Sequence, residues 1–211
     1  MRSYLTEFIG TFFLTITVCI APNTTASLAP VAIGAVLMVM VYMGGHISGA
    51  HYNPAVTLAI FLRGKLAKRD LAPYLVTQFV AAIFAGFIAH WLTGKAFVPE
   101  PSGDMTPLGA VAIEFIFAFG LALVVLNVAT ATKTAGNSYF GLAIGFMVLV
   151  SGVAVGPLSG AALNPAVGTG PALIRAAFEG GSLAHVWVYW VGPFLAAPAA
   201  AAVFKLQNPG D

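Results

Sequence analysis

At 211 residues, 59% hydrophobic and only 8% charged, with a mean hydropathy of +0.93, the chain has too little charge to clothe a soluble domain, and an integral membrane protein is expected. A formal net charge of +2 is too small to suggest a nucleic-acid partner. The single cysteine, Cys19, excludes an intrachain disulfide and a cysteine-based metal site, and reads as a small buried apolar residue.

The chain opens on MRSYLTEFIGTFFLTITVCIA, one early Arg ahead of an apolar run long enough to span. No convincing small-residue cleavage site follows, so residues 4–21 are expected to be a retained helix rather than a signal peptide. A helix needs about 20 apolar residues to cross the roughly 30 Å hydrocarbon layer. The second span is expected at 28–47, followed by HISGAHYNPAVT (46–57). Residues 54–62, PAVTLAIFL, are too few to cross, reaching about 13 Å at 1.5 Å per residue. RGKLAKRD (63–70) leads to a third span at 72–93, and GKAFVPEPSGDMT (94–106) to a fourth at 107–129. TATKTAGNS (130–138) precedes a fifth at 139–156. SGAALNPAVG (159–168) then opens a second short piece, 165–177, expected to be irregular near Pro171, before a last span at 184–205.

Each short piece begins with an Asn-Pro pair. Asn suits the N-cap, and Pro suits the first helical position, where no amide donor is required. These are therefore half-helices that start deep and run back to the side their loops came from. Non-helical backbone at such depth is tolerated only where protein buries it or where it lines a water-filled cavity. Six spans place both termini on one side. With the termini inside, Arg2, Arg63, Lys65, Lys68, Arg69, Lys133 and Lys205 are cytoplasmic, and only Lys95 and Arg175 lie outside. The positive-inside rule therefore chooses cytoplasmic termini.

The chain also repeats itself. TEFIGTFFLTITV (6–18) matches IEFIFAFGLALVV (113–125), each with a Glu-Phe pair, at Glu7 and Glu114. The two SGA-x-x-NPAV segments follow at corresponding places. One repeat, approximately 1–93 or 107–205, is three spans plus a half-helix, so the second copy enters the membrane upside down. The half-helices then meet near the midplane, together covering about one bilayer.

On these residues the chain resembles the aquaporin, or major intrinsic protein, family. Its paired signature is intact as Asn53-Pro54-Ala55 and Asn164-Pro165-Ala166, and the Glu-Phe pairs and Gly170-Pro171 are also family-like. The resemblance covers essentially the whole chain. It implies an all-α membrane fold of six transmembrane helices and two re-entrant half-helices. It further implies one hourglass channel domain over 1–211, usually assembled as a homotetramer. No catalysis, cofactor or metal is implied, and a bacterial-type inner or plasma membrane is expected. For Glu7 and Glu114 the resemblance suggests a structural role, bracing the half-helix loops.

Two facing helix N-termini place roughly half an elementary charge each at the pore centre, which disfavours cations. The Asn53 and Asn164 amides can donate to a passing oxygen and interrupt a proton-conducting water chain. Extended stretches at 46–52 and 157–163 can offer backbone carbonyls as acceptors. His46 and His51 lack a further ligand at metal spacing and are expected to pack or bond to backbone. His90 and His185, near span ends, carry no usable signal.

In most of the family an Arg follows the second motif and narrows the outer pore; here Val167 stands there. Arg175 lies eight helical residues on, about 12 Å away, and cannot replace it. Family alignment places the other filter positions at Ile33, Gly152 and Ala161, where water-selective members carry an aromatic at the first and His at the second. The Asp common in glycerol channels two positions past the motif is replaced by Gly168. The resemblance thus implies a wide apolar filter passing glycerol, urea, hydrogen peroxide, neutral metalloid acids such as arsenous acid, and water. An apolar constriction can also dewet, lowering water flux. A water-selective channel narrowed by other side chains is the alternative. More distant are an ion-conducting channel and a proton-coupled transporter using Glu7 or Glu114, intramembrane carboxylates being costly.

Overall fold

A computed structural model describes all 211 residues. Its helices are α1 (Arg2–Thr24), α2 (Ala29–Ser48), α3 (Pro54–Leu62), α4 (Lys68–Thr93), α5 (Pro107–Val125), α6 (Phe140–Ser159), α7 (Pro165–Glu179) and α8 (Val188–Gln207). Six of them are long and apolar enough to cross a membrane. The other two, α3 and α7, are the half-helices.

The first half-helix has the expected bounds. The second differs: α7 is a regular 15-residue helix running through Pro171, where irregularity was expected. Proline removes one backbone hydrogen bond and crowds the preceding turn. Tight packing on α4 compensates here, since Gly170 lies against the Ala82 backbone and the Pro171 Cα faces Gly86. A Cβ added at Gly170 would stand 2.4 Å from the Ala82 carbonyl carbon, so only glycine permits this approach. The fourth span ends in a π-type turn, Leu126–Thr130, and the last begins at Val188, after a turn that the sequence had suggested was helical.

Packing follows the repeat. α1 lies on α4 and α5 on α8, and each half-helix lies against the third span of the other repeat, α3 on α8 and α7 on α4. That reciprocal exchange is what an inverted repeat produces. The two second spans, α2 and α6, cross where Gly34 meets Gly145. A Cβ on Gly34 would be 2.6 Å from the Gly145 carbonyl oxygen, and one on Gly145 would be 2.4 Å from that of Gly34. This close crossing brings Ile33 and Gly152, on the same two helices, toward a shared interior. Large apolar side chains such as Val76, Phe84, Leu108 and Ile116 stay exposed on the outside, as a lipid-facing surface requires.

Candidate functional site

The two Asn-Pro pairs form one device. Asn53 (φ −156°, ψ 122°) and Asn164 (φ −148°, ψ 112°) are extended N-caps of matching geometry. The Asn53 side-chain oxygen accepts from the Ala55 amide at 2.8 Å, and that of Asn164 from the Ala166 amide at 3.0 Å. Each side-chain nitrogen reaches across to the other half. Asn53 donates to the Leu163 carbonyl and Asn164 to the Tyr52 carbonyl, both at 2.9 Å. An amide NH₂ has two hydrogens. One on each Asn is committed to locking the half-helix ends together, and the second remains at the cavity that both residues line.

The approach segments are shorter than the sequence suggested. α2 runs to Ser48 and α6 to Ser159, so the non-helical backbone begins at Gly49 and Gly160 rather than at 46 and 157. Nor is it simply extended: Ala50, Tyr52, Ala161 and Leu163 all have φ between 45° and 52°. Left-handed non-glycine backbone costs on the order of 1–3 kcal/mol per residue and persists only when its surroundings over-determine it.

Two buried carboxylates do that. Glu7 accepts from the Ser48 hydroxyl (2.7 Å), the His51 amide (2.9 Å), the Tyr52 amide (2.7 Å) and the Gln78 side chain (2.9 Å). Glu114 accepts from the Ser159 hydroxyl (2.7 Å), the Ala162 amide (3.2 Å) and the Leu163 amide (2.7 Å). Tyr74 and Tyr189 complete the pattern, donating to the Ser48 and Ser159 carbonyls at 2.8 and 2.6 Å. These tyrosines sit at equivalent places in the third spans, a correspondence that aligning the repeats beyond the Glu-Phe and Asn-Pro motifs would have found. With the Ser48, Tyr52, Ser159 and Leu163 carbonyls engaged, those of residues 49–51 and 160–162 accept no protein hydrogen bond.

The halves differ in polarity. The His51 Nδ1 lies 3.2 Å from the Thr57 hydroxyl, which receives a 2.9 Å bond from Gln78. Repeat two has Ala162, Gly168 and Pro193 at the corresponding places. Gly168 has a steric reason: a Cβ there would stand 2.4 Å from the Tyr189 Cβ, so no aspartate fits. Gly168→Ala is therefore expected to destabilise the protein by about 1–3 kcal/mol through overpacking. Thermal denaturation followed by size-exclusion chromatography measures this, and an unchanged transition would contradict the close contact.

A cavity of about 380 Å³ runs past both Asn residues, and Ile33, Gly152, Ala161 and Val167 all line it. None of these four side chains can form a hydrogen bond. Arg175 is absent from the wall; its guanidinium pairs with Glu100. A second cavity of about 420 Å³, bordered by Ser48, Lys65, Asp70 and Tyr74, shares His51 with the first. His46 is exposed at the end of α2, and His90 bonds Glu179 at 2.8 Å. The first cavity also holds a residue that sequence reasoning passed over, Phe97, from the connection between α4 and α5.

Residues 1–204 match the family model described as Major intrinsic protein. The chain is 36% identical to Aquaporin NIP1-4 of Oryza sativa subsp. japonica, covering 98% of this chain and 77% of that protein. It is 37% identical to Aquaporin NIP1-1 of Zea mays, covering 98% and 74% respectively. Among solved structures it resembles the aquaglyceroporin from Plasmodium falciparum, with a TM-score of 0.81 and 22% identity over 99% of this chain and 96% of that one. These curated relatives are plant proteins, so they lend no support to the expected bacterial-type membrane.

Proposed function

Because the chain belongs to the major intrinsic protein family, and is thus a membrane channel rather than an enzyme, we propose that it is a passive pore for small uncharged solutes with a wide apolar filter. Glycerol, urea, hydrogen peroxide and neutral metalloid acids such as arsenous acid are the proposed permeants, with water among them. The filter is assigned to Ile33, Gly152, Ala161 and Val167. The observation that carries the assignment is that these four side chains share one cavity wall while Arg175 is held away by Glu100.

Transport follows from the donors and acceptors along this path. A neutral solute exchanges its water partners for the free Asn53 and Asn164 hydrogens and the unengaged carbonyls of 49–51 and 160–162. An ion loses its hydration and meets two helix N-termini, whose partial positive charge repels cations. Glu7 and Glu114 are proposed as braces, not proton carriers, since their oxygens are occupied by the loop donors. Both termini are proposed to be cytoplasmic by the charge distribution, and the assembly a homotetramer in which each chain keeps its own pore.

Uptake of urea and arsenous acid into proteoliposomes, with and without a protonophore, tests the passive mechanism. Uptake should be unchanged by the protonophore and carry no current. Loss of uptake when the proton gradient collapses would favour a coupled transporter, and a bi-ionic potential with measurable conductance an ion channel. A water-selective channel stays the second reading, because Phe97 adds an aromatic ring to the same cavity.

A further inference from the structure

The connection between α4 and α5 is a strap fastened across one end of the cavity. The Ala96 amide donates to Glu179 at 3.2 Å, the Phe97 amide to the Cys19 carbonyl at 2.9 Å, and the Ser102 amide to the Leu158 carbonyl at 2.9 Å. Glu100 pairs with Arg175, and Glu179 is itself held by His90 at 2.8 Å. Beneath the strap Gly160 passes so closely that a Cβ would lie 2.7 Å from the Glu100 amide nitrogen and 2.9 Å from the Pro99 Cα. Three helices, α1, α6 and α7, thus hold the strap on both sides of Phe97. Ala96, Val98 and Pro99 are buried, whereas Phe97 is half-buried, packs against the main apolar core and lines the cavity with Pro99.

Phe97 is the only phenyl ring on that wall. The other aromatic groups there, His51 and Tyr52, belong to the first Asn-Pro loop, and the Tyr52 hydroxyl is committed to the Met40 carbonyl at 3.0 Å. The same cavity is also lined by Pro22, Pro30, Ile33 and Gly152, none of which carries an aromatic ring. The strap hydrogen bonds fix the Cα–Cβ direction of Phe97, and packing against the apolar core restricts rotation of the ring. Rigid placement of that kind is what a size-selective group requires.

We infer that Phe97 is a specificity-determining residue of the pore: a ring, supplied by the strap rather than by a span, that sets the upper size limit for solutes. The inference rests on the proposed passive pore. Its chemistry is steric. The ring offers no hydrogen bond, so it discriminates by cross-section and leaves small solutes little affected.

The test is a size series of urea, glycerol and the four-carbon polyol erythritol, measured by stopped-flow light scattering on proteoliposomes of native protein, Phe97→Ala, Phe97→Leu and Phe97→Trp. Phe97→Ala should raise the erythritol-to-urea permeability ratio by about tenfold, the factor that a modest lowering of a steric barrier produces. Phe97→Leu should raise it less, and Phe97→Trp should lower the glycerol-to-urea ratio. A merely structural role would lower all fluxes together and leave the ratios unmoved, which would overturn the inference. Should Phe97→Ala fail to fold, the opposite shifts expected of the Leu and Trp variants still decide. Equal ratios in all variants, with glycerol passing the native protein, sink the role of Phe97 alone. No solute flux through the native protein sinks the pore assignment beneath it.

Discussion

Val167→Arg should close the pore to glycerol and urea while leaving much of its water flux. Val167 is the second residue after Pro165 in the first turn of α7, and lines the cavity together with Ile33, Gly152 and Ala161, whose side chains offer no acceptor. Arginine there keeps the helix, because the Val167 amide and its bond to the Asn164 side chain are backbone features. The longer side chain narrows the wall and brings five fixed donors. The carbonyls of residues 160–162, in the loop that leads into α7 and without a protein donor, are acceptors available to it. Forcing a solute past an overfilled contact costs about 1–3 kcal/mol, or roughly a five- to 150-fold loss of glycerol permeability. The added charge would also repel any cation, by about 4 kcal/mol at 4 Å in a medium of effective dielectric 20. Val167→Leu, which adds bulk without charge, should lower glycerol flux less and leave cation exclusion where it was. Undiminished glycerol flux through the Arg variant, in the same stopped-flow assay, would remove Val167 from the filter.

Glu114→Ala should cost the folded pore rather than tune it. The change strands the Ser159 hydroxyl and the Ala162 and Leu163 amides in a buried place. Each buried donor left without an acceptor costs about 1–3 kcal/mol, so for three donors the loss is roughly 3–9 kcal/mol. The left-handed backbone at Ala161 and Leu163 then loses the carboxylate that holds the Ala162 and Leu163 amides, leaving the Tyr189 and Asn53 bonds to the Ser159 and Leu163 carbonyls. Once it relaxes, the Leu163 carbonyl releases Asn53, and the two half-helix ends come apart. Glu7→Ala should be the more damaging, because four donors depend on Glu7 and three on Glu114. Glutamine at either place keeps one acceptor oxygen but turns an NH₂ toward an amide donor, so the Gln variants should be intermediate. Size-exclusion profiles in detergent, with solute flux from the surviving fraction, measure the order. A Glu114→Ala protein with native profile and flux would refute the bracing role.

Much of this fold could be read directly from residue types, because the deciding features are short-range. Asn53-Pro54 and Asn164-Pro165 write a helix start wherever they occur, and α3 begins and ends where PAVTLAIFL does. Duplication then supplied the long-range order: two copies with an odd number of spans can only be inverted. What the sequence concealed depends on contacts between distant segments. Nothing local says that α7 continues through Pro171, since its support is the glycine-lined approach of α4. Nothing marks Ala50, Tyr52, Ala161 and Leu163 as left-handed, a conformation that residue type alone would give to glycine.

The candidate site divides along the same line. Val167 stood out because it breaks a pattern at a fixed distance from a motif. Phe97 did not, because GKAFVPEPSGDMT has neither period nor motif, and only its anchorage to α1, α6 and α7 brings the ring to the cavity. The Tyr74 and Tyr189 hydroxyls were hidden for a milder reason. Each lies within an apolar span, where a tyrosine is ordinary until the carbonyl it serves is seen.

A wide apolar filter is tested most directly by stopped-flow light scattering on proteoliposomes of the native chain, under water, glycerol and urea gradients in turn. Glycerol and urea should both equilibrate far faster than through empty liposomes. Rapid water flow with exclusion of both solutes would contradict the wide filter and leave a water-selective channel in its place.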